Sequence, residues 1–153
     1  MNLEIVEFDE EILRQETKEV EVPPDGNTKL LAARMLQMMM AVEGLGLAAP
    51  QVDRSERIFV ASLGGDYHVF VNPVIDDLSG GVGTEEEACL SLPGLTVKVR
   101  RNKIVRITYY DAAGNFHERK KFKRMDARVI QHEMDHLEGK LIVDYADSFE
   151  FGG

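Results

Sequence analysis

Asp126-Ala127-Arg128-Val129-Ile130-Gln131-His132-Glu133-Met134-Asp135-His136-Leu137-Glu138-Gly139 is the stretch on which the fold turns. Asp126 is a residue type that accepts from the free N–H groups at a helix start, and Gly139 suits the left-handed position just past a helix end. The spacing predicts a helix over residues 127–138. At about 100° per residue, Ile130, Met134 and Leu137 share one apolar stripe, with Val129, His132, Glu133 and His136 on the stripe beside it. Arg128, Gln131, Asp135 and Glu138 take the remaining side. More than half of the circumference suits burial, so this helix is expected to run through the core and carry two histidines and a glutamate inside.

Within it, His132-Glu133-Met134-Asp135-His136 is an H-E-x-x-H pattern. Histidines at i and i+4 stand one turn apart, so both rings can reach one metal ion, and Glu133 beside them can work on a water without ligating. The alternative is two unrelated core histidines. The pattern arises by chance in about one chain of this length in 200, so the metal reading is preferred.

A catalytic metal needs a third protein ligand. Downstream there is no histidine, and Glu138, Asp144, Asp147 and Glu150 have no ligand context. Upstream, Cys89 is the one cysteine of the chain, in Glu87-Ala88-Cys89-Leu90-Ser91, between a Gly-rich turn (Gly80, Gly81, Gly83) and Pro93-Gly94. A lone cysteine is ordinarily a small core residue. Here a thiolate with two imidazoles suits Fe²⁺, Zn²⁺, Ni²⁺ or Co²⁺.

Around this centre the chain reads as mixed. Residues 29–43 predict an N-terminal helix with Asn27 or Thr28 as cap, Leu31, Met35, Met38 and Val42 inward, and Gly44 at its end. Residues 58–63, 67–74 and 95–99 predict short strands. Residues 104–110 and 116–122 predict a hairpin closed by Asp111-Ala112-Ala113-Gly114-Asn115. The run Glu118-Arg119-Lys120-Lys121-Phe122-Lys123-Arg124 reads as a solvated strand face. The fold class is α+β: antiparallel β-sheets around a central metal-binding helix, plus the N-terminal helix, in a single catalytic domain over residues 1–153.

Bulk properties narrow the function. The 27 acids against 18 bases give a net charge of −9 in 153 residues, which argues against direct nucleic-acid binding. One cysteine excludes an intramolecular disulfide. Residues 1–8 carry acids where a signal peptide carries bases, and no apolar run approaches the ~20 residues of a membrane span.

Gly44-Leu45-Gly46-Leu47-Ala48-Ala49-Pro50-Gln51 is a third segment that lets backbone pass close to a neighbour. Together the three segments resemble the motifs of the peptide deformylase family, in the same order, over about residues 5 to 145. The first and third match throughout; the second has Ala88 where the family has glycine.

The resemblance implies removal of the formyl group from formyl-Met nascent polypeptides. Cys89, His132 and His136 would bind the metal, typically Fe²⁺. Glu133 would take a proton from the attacking water and pass one to the departing amine. Gln51 and the Leu90 backbone N–H would hold the oxyanion. The peptide would lie as an added strand near Gly46, with Leu45, Met125, Val129 and His132 lining the first side-chain pocket and Glu87 counted among the substrate-binding positions. Asp135 would pair with Arg101. A monomer in the cytoplasm of a bacterium, or of a phage's host, working at the ribosome exit, completes the expectation. Thr96 replaces an arginine common in bacterial members, and Ala88 adds a methyl beside Cys89. The end soon after Tyr145 resembles short phage-encoded forms. A zinc peptidase and a non-catalytic metal-binding module are the competing readings.

Overall fold

The structure, a computed structural model, describes residues 2–145 and 150–151. Asp147 is outside the described residues, as is the Glu150 side chain. In chain order the elements are helix α1 (Gly26–Ala41), strands β1 (Gly46–Ala48), β2 (Ile58–Leu63), β3 (Asp66–Cys89), β4 (Leu92–Tyr110) and β5 (Phe116–Lys123), helix α2 (Arg124–Leu137) and strand β6 (Glu150–Phe151). A short 3₁₀ turn, Ala49–Val52, follows β1 and carries Gln51.

Every strand pairing is antiparallel, in the order β1-β2-β3-β4-β5, with β6 on β4. The expectation of several sheets is therefore corrected to one bent sheet. The separate strands read at 67–74, 95–99 and 104–110 merge into β3 and β4, and the Gly-rich segment is a bulge inside β3, not a turn. Gly80 and Gly81 take φ of 78° and 76° where the register shifts between Ser79 and Val82. Such a bulge bends paired strands without ending them. A Cβ on Gly80 would come within 2.7 Å of Ile104 Cγ1, so the bend also needs the missing side chain.

The bend puts α2 between two halves of the same strands. On one side Val129, Ile130, Met134 and Leu137 pack with Phe59, Phe70, Val105 and Ile107. The far half of the β3–β4 hairpin contributes a second cluster, with Cys89, Leu92, Leu95, Val97 and Val99 beside Leu13 and Leu141. The polar side assigned to α2 is mostly inside too: Arg128 and Gln131 are 8% and 6% exposed. Helix α1 packs on β1 and β2 through Leu31, Met35 and Met39. Its inward stripe runs i, i+4, i+8 with Ala32; Met38 is only partly buried and Val42 is exposed.

The helix ends differ from the reading in instructive ways. Asp25 caps α1, its Oδ1 accepting from the Thr28 N–H at 2.8 Å, so Asn27 and Thr28 lie inside the first turn. Glu43, at φ 55°, takes the left-handed position ahead of Gly44, whose N–H donates to Met39 O. Asp126 lies in the first turn of α2, and its carboxylate accepts from the Gly64 N–H instead of capping. At the other end Gly139 does take φ 76°, and the Lys140 N–H closes back on Asp135 O.

Candidate metal centre

The helix period brings His132 and His136 together, with ring centroids 5.1 Å apart. The β3–β4 hairpin adds Cys89, whose Sγ lies 3.3 Å from His136 Nε2. Cys89 is the last residue of β3, ahead of a two-residue turn at Leu90-Ser91; Pro93 and Gly94 lie within β4. No Asn-Gly or Asp-Gly marks that turn, so the sequence shows no hairpin there. The donor atoms of Cys89, His132 and His136 all lie within 4.8 Å of one another.

The site is built to hold positive charge. The His132 ring donates from Nδ1 to Glu87 Oε1 at 2.9 Å, which leaves its Nε2 lone pair for the side of Cys89. Burial works against a proton on His132, but the contacts with Cys89 and Glu87 outweigh it and push its pKa up to about 10. With no ion, that pocket of donors prefers a proton. Burial holds His136 well below the ordinary imidazole range, as suits a neutral ligand. Its Nδ1 has no hydrogen-bond partner among the described residues. A sulfur, two imidazoles and an excess of negative charge fit a divalent cation of the Fe²⁺–Zn²⁺ group.

Glu87 anchors the frame. Arg101 donates to both of its oxygens at 2.9 Å, and Arg128 donates to Oε2 at 2.6 Å. Burial raises its pKa, but His132 and Arg101 prevail and bring it to about 2. Glu87 lines the pocket, but its carboxylate is turned to Arg101, Arg128 and His132. The Arg101–Asp135 contact is also present at 2.5 Å, and the Tyr145 hydroxyl donates to the same Asp135 oxygen.

Glu133 has no such support. It is 4% exposed, its Oε1 has no hydrogen-bond partner among the described residues, and burial pushes its pKa up to about 7. A Cβ on Gly46 would stand 2.5 Å from Glu133 Oε2 and 2.8 Å from its Cγ, so glycine lets β1 pass this close to the Glu133 side chain. Gln51 is 2% exposed. The Ala48 N–H holds its Oε1 at 3.0 Å, and its Nε2 is thereby aimed at Cys89 Sγ (3.5 Å) and Ser91 Oγ (3.3 Å).

A cavity of about 390 Å³ opens onto these groups. Leu45, Gly46, Met125, Val129 and His132 line it, together with Glu87, Leu90, Gln51 and Glu133. The sequence reading missed Glu85, Glu86 and Arg128 in the lining. Arg128 sits four residues before His132, about one turn away at the border of its stripe, and periodicity put it on the polar side. Ala88 is an exposed strand residue with no left-handed φ; it pairs in register with Thr96, just before the register shift at Cys89, and it lines the cavity.

A sulfur, two imidazoles and a buried carboxylate around one cavity are the constituents of a mononuclear metal hydrolase. The family model for polypeptide deformylase matches residues 2–151. A peptide deformylase of Dictyoglomus turgidum is 41% identical over 146 residues, covering 95% of this chain and 94% of that one. The crystal structure of peptide deformylase from Thermotoga maritima superposes with a TM-score of 0.90 at 36% identity, over 95% of this chain and 98% of that one. A probable peptide deformylase from Synechococcus phage S-SSM7 gives 0.87 at 36% identity, over 94% and 99%. The chain belongs to the polypeptide deformylase family, whose members are metal-dependent enzymes.

Proposed function

We propose that this chain hydrolyses the formyl amide at the N-terminus of formyl-methionyl peptides, releasing formate and a free amine. Cys89, His132 and His136 would hold one divalent ion. The observation that carries the reading is the unpartnered, buried Glu133 oxygen beside that donor trio, in a cavity of side-chain size. When bound, the ion supplies Lewis acidity toward the formyl oxygen and makes a water more acidic. Fe²⁺ is the working metal in this reading, with Zn²⁺, Ni²⁺ and Co²⁺ as ions that the same donors accept.

Glu133 Oε1 takes a proton from the attacking water as the water oxygen bonds to the formyl carbon. It then delivers a proton to the amine nitrogen as the C–N bond breaks. Gln51 Nε2–H and the Leu90 backbone N–H donate to the oxyanion on the way; Gln51 is held in place for this by Ala48. Strand β1 ends the sheet, so an extended peptide can add to its edge at Gly46. Leu45, Met125, Val129 and the His132 ring enclose the first side chain. Glu87 acts through His132 as a positioning residue.

The substrates are nascent polypeptides met at the ribosome exit, by a monomer in the cytoplasm. No helix among the described residues is long and apolar enough to cross a membrane, and the net charge of −9 disfavours direct RNA contact.

The test is formate release from formyl-Met-Ala-Ala by protein purified without air and loaded with each ion in turn. Turnover at one ion per chain is expected, and Cys89→Ser should lose both ion and turnover. Stoichiometric ion in wild type with no formate from any of the four metals would sink the reading. Cleavage of internal peptide bonds instead would point to a peptidase.

A further inference from the structure

Beyond the bulge at Gly80 and Gly81, residues 82–89 of β3 and 92–102 of β4 form an arm that ends in the turn next to Cys89. The arm and α2 bury their apolar side chains separately. Leu95, Val97 and Val99 pack with Leu13 and Leu141, whereas Val129, Ile130 and Met134 pack with Phe59 and Phe70, and the two clusters share no residue. The seam between arm and helix is crossed by polar side chains. Apolar burial is non-directional, so the hydrogen bonds of this seam decide how the arm is seated on α2.

Arg128 reaches from α2 to both strands of the arm. Its Nη1 donates to Glu87 at 2.6 Å and to Val99 O at 3.0 Å, its Nη2 donates to Gly83 O at 2.9 Å, and its Nε lies 3.2 Å from Glu85. Arg101 crosses the seam the other way, from β4 to Asp135, and Gln131 is tied to Asn102 at the base of the arm. Of these three side chains, Arg128 alone grips backbone carbonyls in both strands. At the strand period of two, Glu85, Glu87 and Cys89 share a face: Arg128 holds the first two, and Cys89 Sγ meets His136 at 3.3 Å. Cys89 lies two residues past Glu87, about 7 Å along the strand. Metal ligands keep their distances within about 0.2 Å, and the joint between arm and sheet is a bulge that interrupts the ladder. An arm held at that joint alone does not place a sulfur so closely.

We propose that Arg128 is a positioning residue: it latches the β3–β4 arm onto α2 and thereby sets where Cys89 meets His132 and His136. The inference rests on the metal-centre reading given above and adds to it the residue that seats one ligand against the other two. Without Arg128, Glu87 keeps Arg101 and His132, so the anchor survives. The arm loses its grip at Gly83 and Val99, and Cys89 opens locally away from the helix.

Cys89 is the one cysteine of the chain, so its alkylation by iodoacetamide in metal-free protein reads the opening with neither metal nor substrate. Arg57→Met is the matched control, because Arg57 is a comparably buried fork, bonded to Glu138, Pro73 O and Thr17 away from the arm. In buffer where all variants are folded, Arg128→Met should raise the alkylation rate about tenfold, and Arg57→Met should stay within about twofold of wild type. Loss of a nearby cation by itself slows thiol reactions, so a faster rate reports opening. As a second readout, Arg128→Met should bind Co²⁺ about tenfold more weakly, with a weaker thiolate-to-cobalt charge-transfer band. Arg128→Lys, which keeps a charge for Glu87 but cannot span both carbonyls, should fall between. A wild-type alkylation rate and cobalt band in folded Arg128→Met overturn the proposal, as does an equal rise of the rate in Arg57→Met. If Arg128→Met does not fold, the same two readouts on Arg128→Lys decide, and wild-type values there overturn it. A wild-type Co²⁺ complex without a thiolate band overturns Cys89 as a ligand, and with it the claim that the latch serves a metal.

Discussion

Glu87 and Glu133 have the same side chain, lie in the same cavity, and are both buried, yet they behave as opposites. Three cationic or N–H-bearing groups surround Glu87: Arg101, Arg128 and His132. It is a fixed anion, with a pKa near 2. Glu133 has an oxygen with no hydrogen-bond partner among the described residues, and burial lifts its pKa to about 7. Burial raises the pKa of both carboxylates, and the partners decide whether that rise is offset, as at Glu87, or left standing, as at Glu133. A saturated one holds geometry, whereas an unsaturated one keeps a lone pair available for a proton that has to move.

The comparison can be broken most severely at Glu87. Glu87→Ala would leave two guanidinium groups buried without their main partner and His132 without its acceptor. Loss of about 3–5 kcal/mol of folding stability is expected, with metal affinity weakened about 10- to 100-fold. Denaturant unfolding and metal competition measure the two effects. A stability change under about 1 kcal/mol would show that Arg101 and Arg128 find water readily, and that Glu87 is not the anchor described.

Glu133→Gln should have the reverse profile. It removes the proton acceptor and little else, so metal content should stay at wild-type level while turnover falls about 10²-fold or more. Unchanged turnover would remove Glu133 from the reaction; lost metal would place it among the ligands.

Gly46→Ala gives the finest discrimination. The added Cβ would come within 2.5 Å of Glu133 Oε2, and the carboxylate must swing away, since the β1 backbone is held by its ladder to β2. About tenfold lower kcat, with stability down by about 1 kcal/mol, is expected. Equal kcat in the alanine variant would show that Glu133 needs no fixed rotamer.

Some of this was legible in the sequence. Residues 58–63 form a strand with the bounds expected, because Ile58, Phe59 and Val60 open it and Gly64 ends it. The pairing of His132 with His136, and of Glu133 with the same cavity, follows from helical spacing alone. The left-handed Gly139 and the hairpin at Asp111 were equally local signals. The α1 ends were misread because Asp25 outcompeted two equally plausible caps, and because Glu43 accepted a strained φ next to a glycine.

The sequence by itself determined what needs only one element: where α2 runs, which of its side chains share a turn, and that three chemically matched segments occur in order. Tertiary structure alone decided what needs two elements to meet. Cys89 reaches His136 across 47 positions because a glycine bulge bends β3 and β4 around α2. Arg128, polar by any periodicity argument, is buried because Glu87, Val99 O and Gly83 O, all brought by that hairpin, satisfy its donors. Patterning records average hydrophobicity along a chain. Whether a charged group can be buried depends on partners that only the folded chain brings within hydrogen-bond reach.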